Sequence, residues 1–132
     1  MENEIIIKSK TESLQLVEKF VDNFSASHNI SKDVYGNLLI TALEATNNAI
    51  THGNKLIECK DVYFALNIRE DEIEMIVKDQ GPGFDYKTLP DPTSPENLEN
   101  MSGRGVFLMT RLSDKIEFEN NGSHIKMVFY LK

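Results

Sequence analysis

Only one cysteine, Cys59, occurs in the 132 residues, which excludes an intrachain disulfide framework and a cysteine-rich zinc site. It is expected to sit as a small apolar residue at a strand edge. Prolines are few, and all four (Pro82, Pro90, Pro92 and Pro95) fall in one stretch. Basic residues are in deficit, 14 against 21 acidic ones, for a net charge of −7. That sign argues against a direct nucleic-acid surface, where phosphate repulsion would have to be overcome. It is compatible with a nucleotide met by backbone amides, a few cations and a metal. No apolar run approaches the length of a membrane span, so no membrane partner is expected. The N-terminus, Met-Glu-Asn-Glu, lacks the basic-then-apolar form of a secretory signal, and a cytoplasmic location is expected. The three histidines, His28, His52 and His124, show no metal-ligand spacing, which disfavours a histidine-metal hydrolase. Internal repeats, linkers and low-complexity segments are missing too. What remains, 40% hydrophobic and 27% charged residues, is ordinary for one soluble globular domain.

The chain is organised around Ser31 to Asn54, read as one long helix ending in His52-Gly53-Asn54. Ser31 is a natural N-cap, Asp33 adds negative charge to the first turn, and Gly53 is a stop signal. At about 100° per residue, Val34, Leu38, Leu39, Ala42, Leu43, Ala45, Ala49 and Ile50 gather on one apolar arc. Asn37, Thr41, Glu44 and Asn48 fall on a narrow strip of the other side. Glu44 and Asn48 are one turn apart, so a carboxylate and a carboxamide project side by side. Such a pair can serve an oxygen-rich ligand or a hydrated metal, and can equally be a solvated helix face.

Before this helix, Glu4 to Ile7 reads as a strand and Thr11 as the cap of a helix from Glu12 to about Phe24. Leu14, Val17, Val21 and Phe24 form its buried stripe. His28, in the loop that follows, is expected to be solvated. After Asn54 the period changes to two: Val62, Phe64 and Leu66 mark one strand, and Ile73, Met75 and Val77 the next. The short charged turn from Arg69 to Glu72 makes antiparallel pairing the economical choice. From Gly81 to Gly103 there is no convincing periodicity, and such long loops in small domains are often functional lids. A helix is expected from about Arg104 to Leu112, packing Val106, Met109 and Leu112. A strand opened by Ile116 and Phe118 then turns at Asn121-Gly122, a strong hairpin signal. The returning strand puts Ile125, Met127, Phe129 and Leu131 on one face. Strands grouped after two helices predict an α+β layer, with one face of the sheet covered by helices.

Two further stretches carry possible chemistry. Asp79-Gln80-Gly81-Pro82-Gly83-Phe84 directly follows a strand. An aspartate there can accept a hydrogen bond from an exocyclic amine such as adenine N6, and can equally cap the following turn. Glycines at 81 and 83 let backbone approach a flat ligand. Ser102-Gly103-Arg104-Gly105 opens a helix, where backbone amides favour anions and Arg104 would add positive charge.

Taken together and in order, Glu44-x-x-x-Asn48 with His52-Gly53-Asn54, Asp79-x-Gly81-x-Gly83 and Gly103-x-Gly105 resemble the boxes of the GHKL (Bergerat-fold) ATPase superfamily. The resemblance covers nearly the whole chain. The small size and the run Gly-Arg-Gly-Val-Phe-Leu-Met look like its anti-sigma factor and serine-protein kinase branch. This implies a two-layer α/β sandwich, a mostly antiparallel sheet covered on one face by helices, as a single domain with an ATP lid at about 84–103. It implies ATP and Mg2+ as cofactors. Asn48 would hold the metal, and Glu44 would act as general base or position the attacking hydroxyl. Asp79 would read the adenine amine, Gly81 and Gly83 would shape the pocket, and Gly103, Arg104 and Gly105 would wrap the phosphates. The closing Gly-Thr of the family stands here as Gly122-Ser123, so Ser123 is expected at the adenine without the threonine methyl. Asn47 replaces a common threonine beside Asn48; the helix angles favour Asn48, which shares the strip with Glu44. His52 matches a position often occupied by histidine and is given no catalytic role. Implied partners are an anti-anti-sigma protein bearing a target serine and a sigma factor, with homodimerisation.

Two functions follow from the resemblance. One is an ATP-binding anti-sigma regulator with serine/threonine-protein kinase activity toward its partner. The other is an ATP-dependent sigma-factor-binding module with little or no turnover. Retention of Glu44 leans toward the kinase, because binding alone needs no base. None of the histidines has a phosphoacceptor context, which disfavours self-phosphorylation, and the domains that couple free-standing ATP hydrolysis to work are lacking.

Overall fold

A computed structural model describes residues 3–81, 101–119 and 123–131, with residues 101–104 described by their backbone alone. Strand β1 (Glu4–Lys8) leads through a 3-10 turn at Thr11–Ser13 into helix α1 (Leu14–Ser27). Helix α2 (Lys32–Asn48) follows and runs on as a π-helical segment, Ala49–Gly53. Then come β2 (Asp61–Arg69), β3 (Glu72–Lys78), α3 (Met101–Leu112), β4 (Lys115–Glu119) and β5 (His124–Tyr130). All described pairings are antiparallel, in the order β1-β2-β3-β5-β4. Among the described residues no helix is long and apolar enough to cross a membrane.

The period-two pattern of the strands decides which face meets the helices. Val62, Phe64, Leu66, Ile73, Met75, Val77, Ile125, Met127 and Phe129 are all buried, and they form one cluster with the apolar arcs of the helices. From α1 come Val17, Val21 and Phe24, from α2 Leu38, Ala42 and Ala45, and from the π-helical segment Ala49. Phe20 meets Phe64 edge-on, ring centroids 5.7 Å apart. The outer sheet face carries polar pairs, with Lys126 3.2 Å from Glu74 and Lys78 over the Tyr63 ring. The protein is thus an α+β two-layer sandwich, helices on one side and solvent on the other.

Several boundaries differ from the sequence expectation. Ser31 caps α2, accepting from Val34 N–H at 3.4 Å, but the hydroxyl of Thr11 caps nothing; the 3-10 turn starts at Thr11 itself. Cys59 is exposed in the turn ahead of β2 rather than tucked at a strand edge. His28 is exposed, as expected, with its ring tilted against Phe24 at 4.5 Å. The β2–β3 turn is tight enough that Glu70 takes a φ of 52°. The expected lid at 84–103 and the Asn121-Gly122 turn fall largely or wholly outside the described residues, as does Gly83. Helix α3 is already formed at Met101, three residues ahead of the expected start at about Arg104, so Gly103 has helical backbone along with Arg104 and Gly105.

Candidate nucleotide site

The polar strip of α2 is not a solvated face, because α3 packs along it. Thr41 is fully buried and satisfied locally, its hydroxyl donating to Asn37 O at 2.6 Å. Glu44 stays partly exposed. Asn48, one turn on, is 5% exposed, and neither its Nδ2 nor its Oδ1 has a hydrogen-bond partner among the described residues. The hydroxyls of Ser25 and Thr46 are also buried without partners among the described residues, but only Asn48 has two such atoms. An orphaned buried polar atom costs about 1–3 kcal/mol, an expense a fold offsets elsewhere unless a ligand meets it.

Gly105 closes over this pair. A Cβ placed there would lie 2.6 Å from Asn48 Nδ2 and 3.2 Å from Glu44 Oε2. A side chain at 105 would therefore fill the cradle, and glycine leaves it open to Glu44 and Asn48 together. The strip predicted from periodicity and the downstream glycine are thus brought into one place.

The second half of the site lies at the end of β3. Asp79 N–H donates to Ser123 O at 3.0 Å, and Gly81 N–H donates to Asp79 Oδ1 at 2.8 Å. Ser123 is buried beside it. The π-helical segment leans on this aspartate: a Cβ at Gly53 would fall 2.4 Å from Asp79 Cγ, and one at Gly81 only 1.9 Å from Gly53 O. His52, next to Gly53, is exposed and takes no part. Arg104 has its backbone in α3.

Burial pushes the Asp79 carboxyl above the ordinary carboxylate range. The Gly81 N–H, His124 and Lys60 oppose the shift without cancelling it. A raised folded-state value means the native protein binds the proton more tightly than the unfolded chain. The stability this contributes is full below the unfolded pKa and is lost as pH rises through the folded one. At neutral pH, ionised Asp79 is therefore a cost. Asp79→Asn keeps an acceptor for Gly81 N–H and is expected to raise the melting temperature of the ligand-free protein at pH 7. The advantage should shrink on acidification, and a variant less stable at neutral pH would contradict it.

Gly53 and Asn54 are parts of the site that periodicity alone did not assign. In sequence they read as the end of the long helix and, through the resemblance, as part of the box His52-Gly53-Asn54 with no role of their own, yet Gly53 walls Asp79 and Asn54 is fully buried. Periodicity gives them no role, since their contacts are with residues 9, 61 and 79–81.

A carboxamide left unpaired on a buried helix face, and an aspartate at the end of a central strand, can be set beside known proteins. The family model described as the histidine kinase-like ATPase domain matches residues 7–129. Among curated relatives are proteins named serine-protein kinase RsbW from Staphylococcus aureus strains JH9 and Newman. Each is 27% identical over 139 aligned positions, covering 98% of this chain and 86% of the relative. With the match running through every element from β1 to β5, this chain belongs to the histidine kinase-like ATPase family.

Proposed function

We propose that this protein binds ATP with magnesium and transfers the γ-phosphoryl group to a serine or threonine of a partner, acting as an anti-sigma regulator. The observation that carries the reading is Asn48: buried, unpaired at both amide atoms, one turn from Glu44 and roofed by Gly105. A half-turn of its last torsion exchanges the two amide atoms, so its oxygen is available to a cation. Among the described residues no cluster of three or more His, Cys, Asp or Glu side chains could hold a metal alone. That fits magnesium, which usually keeps several waters and relies on one or two protein oxygens plus substrate phosphates. The ion, when bound, would neutralise charge on the phosphates.

Within this reading the chain's own groups divide the work. Asn48 binds, and Gly103, Arg104 and Gly105 face the phosphates. Glu44 accepts the proton of the attacking hydroxyl or holds that hydroxyl in line. Asp79 accepts from the adenine amine, with Gly81, Gly83 and Ser123 around the base. Phosphoryl transfer depends largely on such positioning and charge neutralisation. The name of the relatives supports a protein-serine acceptor. An anti-anti-sigma protein bearing that serine, a sigma factor and a second copy of the chain are the partners this implies, in a cytoplasmic setting.

The test is thermal stability with and without ATP and magnesium, on wild type and Asn48→Ala. A ligand that binds only the folded state raises the melting temperature, by about 2.7 kcal/mol of stabilisation at a hundredfold excess over Kd. Wild type is expected to show a magnesium-dependent rise and the variant to lose it. No rise at millimolar ATP in wild type would sink the nucleotide reading. A rise without phosphate transfer to the partner would leave a sigma-factor-binding switch in place of the kinase.

A further inference from the structure

We infer that Asn54 is a positioning residue for base recognition, holding Asp79 in place through Gln80 and Gly53; the inference rests on the proposed adenine-reading role of Asp79. Asn54 is 0% exposed and spends its amide on three separate parts of the chain. Its Nδ2 donates to Ser9 Oγ at 2.8 Å and to Asp61 O at 2.9 Å. Its Oδ1 accepts from Gln80 N–H at 2.8 Å. Ser9 in turn donates to Lys60 O at 2.6 Å, and Gln80 Oε1 accepts from Asp61 N–H at 2.7 Å. The end of α2, the segment after β1, the start of β2 and the residue next to Asp79 are thus tied at one carboxamide.

Only a carboxamide satisfies this site. Its two donors face two acceptors and its oxygen faces a donor. A carboxylate of the same size would keep the acceptor for Gln80 N–H but turn its other oxygen toward the two acceptors, Ser9 Oγ and Asp61 O. Backbone geometry adds the second half of the device. Asn54 N–H donates to Ala49 O at 2.7 Å, an i to i+5 bond that ends the π-helical segment. π-turns within helices are frequent at functional sites. Here the wider turn brings Gly53 against Asp79, where a Cβ would lie 2.4 Å from the carboxyl carbon. Asn54 fixes the backbone on both sides of that contact, at 53–54 and at Gln80. One short stretch of chain, from Asn48 to Asn54, therefore serves the phosphate end with its first residue and the base end with its last.

Adenine carries an amine where guanine carries a carbonyl, so a correctly aimed carboxylate favours ATP over GTP. The measurement is the affinity of Asn54→Ala, Ser9→Ala, Asp79→Asn and wild type for ATP, GTP and tripolyphosphate, each with magnesium. Asn54→Ala is expected to lower the ratio of ATP to GTP affinity about tenfold, the worth of roughly one well-placed charged hydrogen bond, and to leave tripolyphosphate binding unchanged. Ser9→Ala, which removes one of the three partners, is expected to lower the ratio in the same direction by less. A residue that merely stabilised the fold would weaken all three ligands alike, and that result overturns the proposal. If Asn54→Ala fails to fold, an unchanged ratio in Ser9→Ala overturns it equally. A ratio altered by Asp79→Asn but not by the other variants removes the positioning role alone. A ratio unaltered by Asp79→Asn removes the adenine reading, and this inference with it.

Discussion

Glu44→Ala is expected to leave magnesium-dependent ATP binding within about threefold of wild type while lowering phosphate transfer to the partner at least about a hundredfold, the usual range for a general base. Glu44 is partly exposed on the strip, one turn before the buried Asn48, so removing it should leave the packing around Asn48 in place. Transfer of labelled γ-phosphate to the partner protein, in single-turnover conditions with ATP saturating, reads the chemical step apart from binding. Glu44→Gln divides the two roles left open. Glutamine keeps an oxygen that can orient a hydroxyl but takes up no proton. A Gln variant as slow as Ala assigns the base, and one near wild type assigns positioning. Transfer retained in both variants would take Glu44 out of the chemistry.

A larger structural effect is expected from Gly81→Ala. Its Cβ would fall 1.9 Å from Gly53 O, and backbone cannot swing aside as a flexible side-chain end can. Either the π-helical segment or the end of β3 must shift, and both hold Asp79. Overpacking of this kind costs about 1–3 kcal/mol, a fall in melting temperature of roughly 5–10 °C. A misplacement of about 1 Å at a reacting or recognising group can cost about a hundredfold, and ATP affinity should drop on that scale. Gly36→Ala provides the internal comparison, since nothing lies within 4 Å of a Cβ at 36 in the middle of α2. Removing a glycine from that helix should stabilise by about 0.5–1 kcal/mol and spare binding. Equal behaviour of the two variants would mean that the Gly53–Gly81 contact does not shape the site.

The strongly periodic parts of this chain were readable because each residue's neighbours are set by its own element. The apolar arc of α2 and the alternation in β2, β3 and β5 placed the core on one face before any contact was known. The strip of Glu44 and Asn48 was readable for the same reason, as an angular relation. Its burial was not, because α3 covers it from more than fifty positions downstream. The π-helical segment was read through as ordinary helix, since one shifted hydrogen bond leaves no mark on an apolar pattern. Gly53 and Asn54 were read as the helix end and as part of a motif, without roles of their own, when their surroundings come from Ser9, Asp61 and the Asp79–Gly81 turn. Cys59 was misplaced because a small residue in a polar turn carries no periodic information. Links between elements distant in sequence came only as what the resemblance implies, and the contacts of Asn54 with Ser9, Asp61 and Gln80 stayed hidden.

The strand order has a consequence in time. Asp79 leaves β3, which is hydrogen-bonded on both sides, by β2 and by β5. Amides in a central strand of a small domain exchange with solvent only when most of the fold opens. Gly105 belongs to α3, which rests on α2 and touches β4, the sheet's outer edge. On the proposed reading, the base end of the pocket would ride on the sheet's central strand, and part of the phosphate end on a helix packed nearer the sheet's edge. A nucleotide held that way would stay anchored by its base through excursions of the helix proposed to cover its phosphates.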